Sequence, residues 1–407
     1  MRLISLNVFR YALLACLLAA AAYSFLLARA AWLFGQDTAA SVPAAVRLAP
    51  YNSAYLGRLA AWRAGDRVAL LHRAVEVNPF DFQSWIQLGF SSEFQQHDLR
   101  LAETYYLRAA AVNHMYLPRW TLTNYYFRHG DEAEFFRWAN ASLEITPFSP
   151  EPIFEQMWMA TQDAAKISAA IPDRPRVLLP YAWHLSNNEQ NTLIPVIVKR
   201  LVSAVGKRDP RAWGRDDLVA AIEDRLVAAD ARLPALDVWV TLVRGRWLSA
   251  DIPSASRPIT NGEFRSSSYR HGFDWRLLDA AGARVDQLTA EGAVRLYVSG
   301  DQPERCVLLE QAMPAEAGHM YRLQWTASSS EVVSPSGLAW HVRPFRGARQ
   351  DDDVQSSDLL AGKNGSWDFR APANSQLCRL SLEYARPLGS LHARGTVMLR
   401  QVSAVMQ

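Results

Sequence analysis

The chain of 407 residues sets 43 Lys+Arg against 40 Asp+Glu, and its basic side chains are scattered arginines rather than a block. That balance excludes the global positive field and the basic arm through which nucleic acid is usually gripped. The length suffices for two domains, each burying its own core.

The first element predicted is an apolar helix. Arg2 and Arg10 precede an uncharged run from Tyr11 to Ala28, and Arg29 closes it. Eighteen residues at about 1.5 Å each give roughly 27 Å, close to the hydrocarbon core of a bilayer. Residues 1–34 therefore read as a cytoplasmic tip and signal anchor, with Trp32 and Phe34 as interfacial aromatics. Ala28-Arg29-Ala30 also has the form of a signal-peptidase site, which leaves secretion after cleavage as an alternative. The run is longer than a usual signal core, and Leu13-Leu14-Ala15-Cys16 resembles a lipoprotein box whose apolar stretch continues too far. Each reading puts the bulk of the chain in the periplasm or outside the cell; the anchor reading makes it single-pass in the inner membrane with the N-terminus inside, and the cleaved reading makes it secreted.

A near-repeat follows. Glu76-Val77-Asn78-Pro79-Phe80 recurs as Glu144-Ile145-Thr146-Pro147-Phe148, 68 positions on, or twice 34, with Val112-Asn113-His114 near the midpoint. A period near 34 belongs to helix-turn-helix units that bury their apolar faces only by stacking. The pattern predicts a first pair over 43–65, a helix from Ala64 to Val77, and pairs over 82–112 and 117–145. Trp85, Leu88 and Gly89 occupy the first helix of the 82–112 pair and Ala102, Tyr106 and Ala109 its second; Trp120, Asn124 and Phe127, then Phe136 and Ala139, do so in the next. Over about residues 47–165 these positions resemble the tetratricopeptide repeat (TPR), with a large residue early in the first helix, small ones at crossings and Pro at the end. Asn124 and His114 depart from that pattern. The resemblance implies a groove for a protein partner lined by Gln83, Phe90, Glu93, Tyr125 and Arg128.

Residues 166–250 read as divergent repeats or a cap, broken at Pro172, Pro175 and Pro180, with helices over 191–205, 216–229 and 235–247. Pro195 fits the first turn of its helix. A linker is expected at Asp251–Pro258. Beyond it, over 259–407, alternating runs such as Tyr321-Arg322-Leu323-Gln324-Trp325, Leu338-Ala339-Trp340-His341-Val342 and Cys378-Arg379-Leu380-Ser381-Leu382-Glu383-Tyr384 predict an antiparallel β-sandwich of jelly-roll type. The fold class expected is multi-domain α plus β.

The order of signatures in residues 258–405 resembles jelly-roll carbohydrate-binding modules of bacterial polysaccharide enzymes. Asn261-Gly262-Glu263-Phe264 opens it, Gly272-Phe273-Asp274-Trp275 follows, Gln311-Ala312-Met313-Pro314 leads to Gly318-His319-Met320-Tyr321, and Gly395-Thr396-Val397-Met398-Leu399 closes it. Members with structural calcium carry carboxylates where this chain has Arg265 and Arg400, so no metal is expected there. Tyr321, Trp325, Trp340, Tyr384, Phe273, Trp275, Trp367 and Phe369 are in phase with core residues and read as core. A glycan-binding face would then consist of Arg322, His341, Arg343 and Arg379, suited to an acidic polysaccharide. Cys306 and Cys378 are either a disulfide or two buried thiols.

No Gly-x-Ser-x-Gly, phosphate-binding loop, His-Glu-x-x-His or Cys-x-x-Cys is present, and Asp351-Asp352-Asp353 reads as a solvated turn. No catalytic residue and no cofactor is expected. The sequence thus points to a non-enzymatic scaffold of the bacterial envelope, of the polysaccharide-assembly type. A dedicated glycan-binding protein and a polysaccharide-processing enzyme stand as alternatives.

Overall fold

The computed structural model describes residues 2–206, 216–345 and 353–407. The chain is a multi-domain α plus β protein: an N-terminal apolar helix, antiparallel helical hairpins and a C-terminal antiparallel β-sandwich. It divides into two compact units, Met1–Gln162 and Asp163–Gln407.

In the first unit, α1 (Arg2–Gly35) is followed by α2 (Ser41–Leu48), α3 (Ser53–Trp62), α4 (Arg67–Val77), α5 (Phe82–Ser91), α6 (Leu99–Val112), α7 (Tyr116–His129), α8 (Glu132–Leu143) and α9 (Glu151–Thr161). Helix α1 contains a span, Val8–Gly35, of mean hydropathy 2.1, long and apolar enough to cross a membrane. The helices α3–α4, α5–α6 and α7–α8 pack as hairpins. The chain sets each boundary chemically. Asn52, Asp81, Asp98 and Asp131 cap α3, α5, α6 and α8, each side chain accepting a backbone N–H of the first turn. Gly89 lets α5 and α6 close, since a Cβ there would lie 2.3 Å from the Tyr106 ring. The Trp85 indole N–H donates to the Pro79 carbonyl at 2.9 Å and ties the Asn-Pro-Phe turn to the following helix.

The second unit begins with α10 (Ala164–Ala170), α11 (Pro175–Asn187), α12 (Ile194–Val205), α13 (Asp216–Ala228) and α14 (Arg232–Arg244). Pro195 lies in the first turn of α12, as its missing N–H requires, but Pro180, read as a break, lies inside α11. The expected linker is not free. Its Asp251 carbonyl accepts from the Trp239 indole at 2.9 Å, and its Ala255 carbonyl accepts from the Tyr321 hydroxyl at 2.9 Å. Helices α10–α14 and the sandwich belong to one unit.

The sandwich comprises β1 (Arg276–Leu277), β2 (Ala283–Leu288), β3 (Ala293–Ser299), β4 (Arg305–Met313), β5 (Met320–Ser330), β6 (Leu338–Pro344), β7 (Val354–Asp358), β8 (Asn364–Arg370), β9 (Cys378–Ala385) and β10 (Arg394–Met406). One sheet has the order β1-β4-β9-β6-β7 and the other β2-β3-β10-β5-β8, all antiparallel. Between them Tyr321, Leu323, Trp325, Trp340, Val342, Leu380, Leu382 and Tyr384 form the core, which agrees with their phase in the sequence. Phe273, Trp275 and Phe369 are buried too, and Trp367 packs partly buried against the same core. Gly262, from the opening Asn-Gly-x-Phe signature, is required by a close approach: a Cβ there would lie 1.9 Å from the Val402 carbonyl oxygen of β10.

Of the two readings left open for Cys306 and Cys378, the structure has the free thiols. Both cysteines are free thiols on neighbouring strands, but the register pairs Cys306 with Tyr384 and Cys378 with Met313, at opposite ends of the β4–β9 ladder. Seven residues of strand separate the two positions, roughly 23 Å, far beyond the reach of a disulfide. Thiol titration of the denatured full chain is expected to give three thiols with and without reductant; one thiol without reductant would overturn this.

Candidate functional site

The outer side of the β1-β4-β9-β6-β7 sheet carries three of the four residues expected to meet a glycan, but His341 is buried there at 7% exposure, which corrects its reading as a surface contact and leaves Arg343 and Arg379 as the two open to solvent. Alternation along β6 and β9 sends Trp340, Val342, Leu380 and Leu382 inward and His341, Arg343, Arg379 and Glu383 outward. Register sets Arg343 opposite Arg379 and His341 opposite Ser381. Arg322 is not part of this face. It lies on β5 of the other sheet and forms a two-pronged pair with Asp368, at 2.7 Å on each arm.

Arg343 organises the centre of the face. It pairs with Glu383 through both ends of its guanidinium and donates to Asp353 at 2.8 Å. Asp353 also meets His341 Nδ1 at 3.0 Å, and the Ser381 hydroxyl donates to Glu383 at 2.7 Å. Burial works to raise both carboxyls, but hydrogen bonds from Arg343, supplemented by His341 at Asp353 and Ser381 at Glu383, outweigh it and hold both below the usual carboxylate range. Their stabilising contribution is present above the ordinary carboxylate pKa and disappears only as the pH falls through the depressed values. Of the Asp351-Asp352-Asp353 run, Asp351 and Asp352 lie outside the described residues; Asp353 is an ion-pair partner and not a free turn.

A second set of charges continues the face. Arg379 lies 3.8 Å from Glu310, with its guanidinium carbon 4.9 Å from the ring centre of Phe345. Glu310 pairs with Arg276 at 3.1 Å, and Arg276 reaches Asp224 of α13 at 2.6 Å. Asp224 also accepts the Gly272 N–H at 2.8 Å and meets His271 Nδ1 at 2.7 Å. Among the described residues the face carries three guanidiniums, Arg276, Arg343 and Arg379, against four carboxylates, Asp224, Glu310, Asp353 and Glu383, so these hold no surplus of positive charge and act as paired donors and acceptors.

In the helical hairpins the expected groove is partly overturned. Gln83 and Phe90 are exposed as expected. Glu93 is buried at 4% exposure and Tyr125 at 5%. Glu93 accepts from Arg128 Nε and Nη2, both at 2.9 Å, from the Tyr106 hydroxyl at 2.7 Å, and meets His129 Nε2 at 3.0 Å. The Tyr125 hydroxyl donates to the Leu99 carbonyl at 2.8 Å. Burial first, then the hydrogen bond to Glu93, raises the Tyr106 phenol above its ordinary value. The physical reason lies in Ser92–Gln96, which winds as a π-helical turn after α5. One extra residue in the turn rotates Glu93 off the inner face into the seam between hairpins. Glu93 and Arg128 are a lock between hairpins. Phe90 and Phe94, the latter under Arg128 at 5.3 Å, are what the surface presents there.

Arg265, at the first departure from the calcium pattern, lies 3.7 Å from Glu263, and among the described residues no cluster of His, Cys, Asp or Glu has the geometry to hold a metal ion.

No family model and no curated protein matches the chain. Among solved structures, one described as "CBM4 structure and function" is 13% identical, covers 37% of this chain and 99% of that one, and gives a TM-score of 0.27. A second, TmCBM61 in complex with β-1,4-galactotriose, is 14% identical over 33% of this chain and 88% of that one, with a TM-score of 0.21. A third, Naa15/Naa10 bound to HypK-THB, is 11% identical over 55% of this chain and 37% of that one, with a TM-score of 0.31.

Proposed function

We propose that this protein is a non-enzymatic scaffold held to the bacterial inner membrane by α1, with the hairpins docking a protein partner and the sandwich presenting its Arg343–Arg379 face to an envelope glycan. The single observation that carries the glycan reading is the outer face just described. Rows of guanidinium and carboxylate groups locked in register can donate to and accept from vicinal hydroxyls without rearranging, and Phe345 beside Arg379 supplies an apolar contact for a ring face. Because these four carboxylates outnumber the three guanidiniums they pair with, the fit favours a neutral or sparsely charged sugar over the acidic polymer expected from the arginines alone.

The repeat spacing supports the docking role. From Phe82 to Tyr116, where α5 and α7 begin, is 34 positions, the tetratricopeptide period. Helix α1 supports the anchor, since Leu13, Leu14, Leu17, Leu18 and Phe25 are all bare to the surroundings, and a surface of that kind needs lipid to cover it. The alternative of an enzyme finds one arrangement to weigh, Ser381 beside His341 and Asp353. Ser381 is wholly buried, and its hydroxyl donates to Glu383, whose carboxylate Arg343 already holds, and not to His341, so it lacks both access and an imidazole base.

The test is an oligosaccharide panel, neutral and uronic-acid-containing, titrated into the detergent-purified full chain. Arg379→Ala and Arg343→Ala are each expected to weaken binding about tenfold, the loss of one charged hydrogen bond, while Arg322→Ala on the opposite sheet leaves it unchanged. Equal loss with Arg322→Ala, or no binding at millimolar sugar, would remove the face from consideration.

A further inference from the structure

The turns between successive hairpins share an unexpected feature. Pro50-Tyr51, Pro79-Phe80, His114-Met115 and Pro147-Phe148 occupy equivalent places, and each ends in a large apolar side chain. Tyr51 is 81% exposed, Phe80 74%, Met115 69% and Phe148 68%. Four bare apolar side chains at equivalent turns of a repeat array form a stripe along one edge, because alternating antiparallel helices bring every inter-hairpin turn to the same edge. The turns within hairpins, at the other edge, read Arg63-Ala64-Gly65-Asp66, Gln96-His97-Asp98 and Gly130-Asp131. Near that polar edge Trp62 and Phe94 are less exposed, at 45% and 54%, and lie under Arg58 and Arg128.

The apolar helix fixes which way the stripe faces. Helix α3 runs alongside the end of α1: Tyr55, in its first turn, stacks on Phe34 with ring centres 4.4 Å apart, and the indole of Trp62, its last residue, contacts Asp37 at 3.4 Å. Its start is therefore directed back along α1, towards the apolar span. Tyr23 and Leu27 of α1 line a cleft together with Pro50, Tyr51, Val77 and Asn78. Along the helix Tyr23 and Leu27 lie about 9 Å and 3 Å before Arg29, the residue that closes the uncharged run. The first two inter-hairpin turns are thus level with the last turns of the apolar span, the depth at which a bilayer passes from acyl chain to headgroup.

We infer that this edge lies on the bilayer that α1 enters, with Tyr51 and Phe80, continued by Met115 and Phe148, inserted at the headgroup–acyl boundary. The hairpins are then fixed to the membrane along an edge, not tethered at a point, and their polar edge is turned towards the aqueous phase. Acidic Glu76 and Asp81 flank the second turn, so apolar insertion and not headgroup charge supplies the attraction, and the contact holds on uncharged lipid. This rests on α1 being retained as an anchor.

The experiment places nitroxide spin labels on the full chain in vesicles of phosphatidylcholine and compares collision with oxygen against collision with a water-soluble nickel chelate. Cys306→Ser removes the part-buried thiol. Cys378 stays, buried and with its thiol pushed up to about 12 by burial, and does not take label. Native Cys16 in that background reports α1. Phe80→Cys, Phe148→Cys and, on the polar edge, Gln96→Cys are then each made with Cys16→Ala. Positions 80 and 148 are expected to show an oxygen-to-nickel ratio severalfold above position 96. Water-like values at 80 overturn the inference, and at 148 they overturn its extension over the last hairpin. An immobilised label closed to both reagents would mean a protein covers the edge, which also overturns it. Lipid values at Cys16 with water values at 80 fail the edge alone; a water-exposed Cys16, or its loss by cleavage, fails the anchor itself.

Discussion

Replacing Glu93 by Ala is expected to destabilise the helical hairpins by about 3 kcal/mol, the low end of the range for removing one member of a buried ion pair. The low end applies because the Arg128 side chain keeps 34% of its surface in water and regains solvation when its partner is gone, whereas Glu93 retains only 2%. Glu93 follows α5, Tyr106 lies on α6, and Arg128 and His129 lie on α7, so one carboxylate ties three helices and two hairpins. Arg128→Ala should also be costly, since it leaves Glu93 buried and facing only His129 and a phenol. The double variant should cost less than the sum of the two by about 0.5–3 kcal/mol, as expected for residues in one network. Urea unfolding of the full chain in detergent, followed by circular dichroism, measures all three. Additive effects, or a loss under 0.5 kcal/mol for Glu93→Ala, would show that the lock does not hold the hairpins together.

Much of the fold was legible because its signals are local. The two Pro-Phe endings and the small residue at Gly89 are set by turn chemistry and helix crossing, and the period-2 runs around Trp325, Trp340 and Leu382 are set by strand alternation. What could not be read depends on contacts between residues distant in sequence. Arg343 and Glu383 are 40 positions apart and meet only through the β6–β9 register, so the sequence shows the arginine without its neutralising partner. Glu93 was misplaced because the repeat pattern assumes continuous α-helix, and nothing in Ser92-Glu93-Phe94-Gln95-Gln96 announces a π-helical turn. The cysteines were undecided for the same reason, as only register shows that Cys306 and Cys378 stand at opposite ends of one ladder. Asp224 carried no such signal, since its partners His271 and Arg276 lie beyond the stretch read as a linker and are met only through tertiary packing.

Glu223 itself leads to the second large effect, of opposite sign. It is wholly buried on α13, and neither carboxylate oxygen has a hydrogen-bond partner among the described residues. Its Cγ crowds Gly272, where a Cβ would lie 2.5 Å away, and Trp239 closes the same spot. Burial first, then repulsion from Asp224, pushes its pKa well above the ordinary glutamate value. A carboxyl whose folded pKa exceeds its unfolded one holds a proton that the unfolded chain releases. Below the unfolded value, about 4.3, both states are protonated and the group costs nothing through ionisation. As the pH rises above that value the unfolded state gains, and stability falls until the folded pKa is passed. Glu223→Leu removes both this penalty and the unpaired polar group, and is expected to raise stability at pH 7 by on the order of 1–3 kcal/mol, with the gain shrinking towards pH 4. Glu223→Gln removes the pH dependence but still buries an unpaired amide, so its stability should be flatter with pH and lower than that of Glu223→Leu. Unfolding curves at pH 4.5, 6 and 7.5 separate the terms. A Glu223→Gln variant with the wild-type slope would assign the pH dependence to another group, and a loss of stability at pH 7 in Glu223→Leu would mean that the carboxylate is satisfied in the working protein.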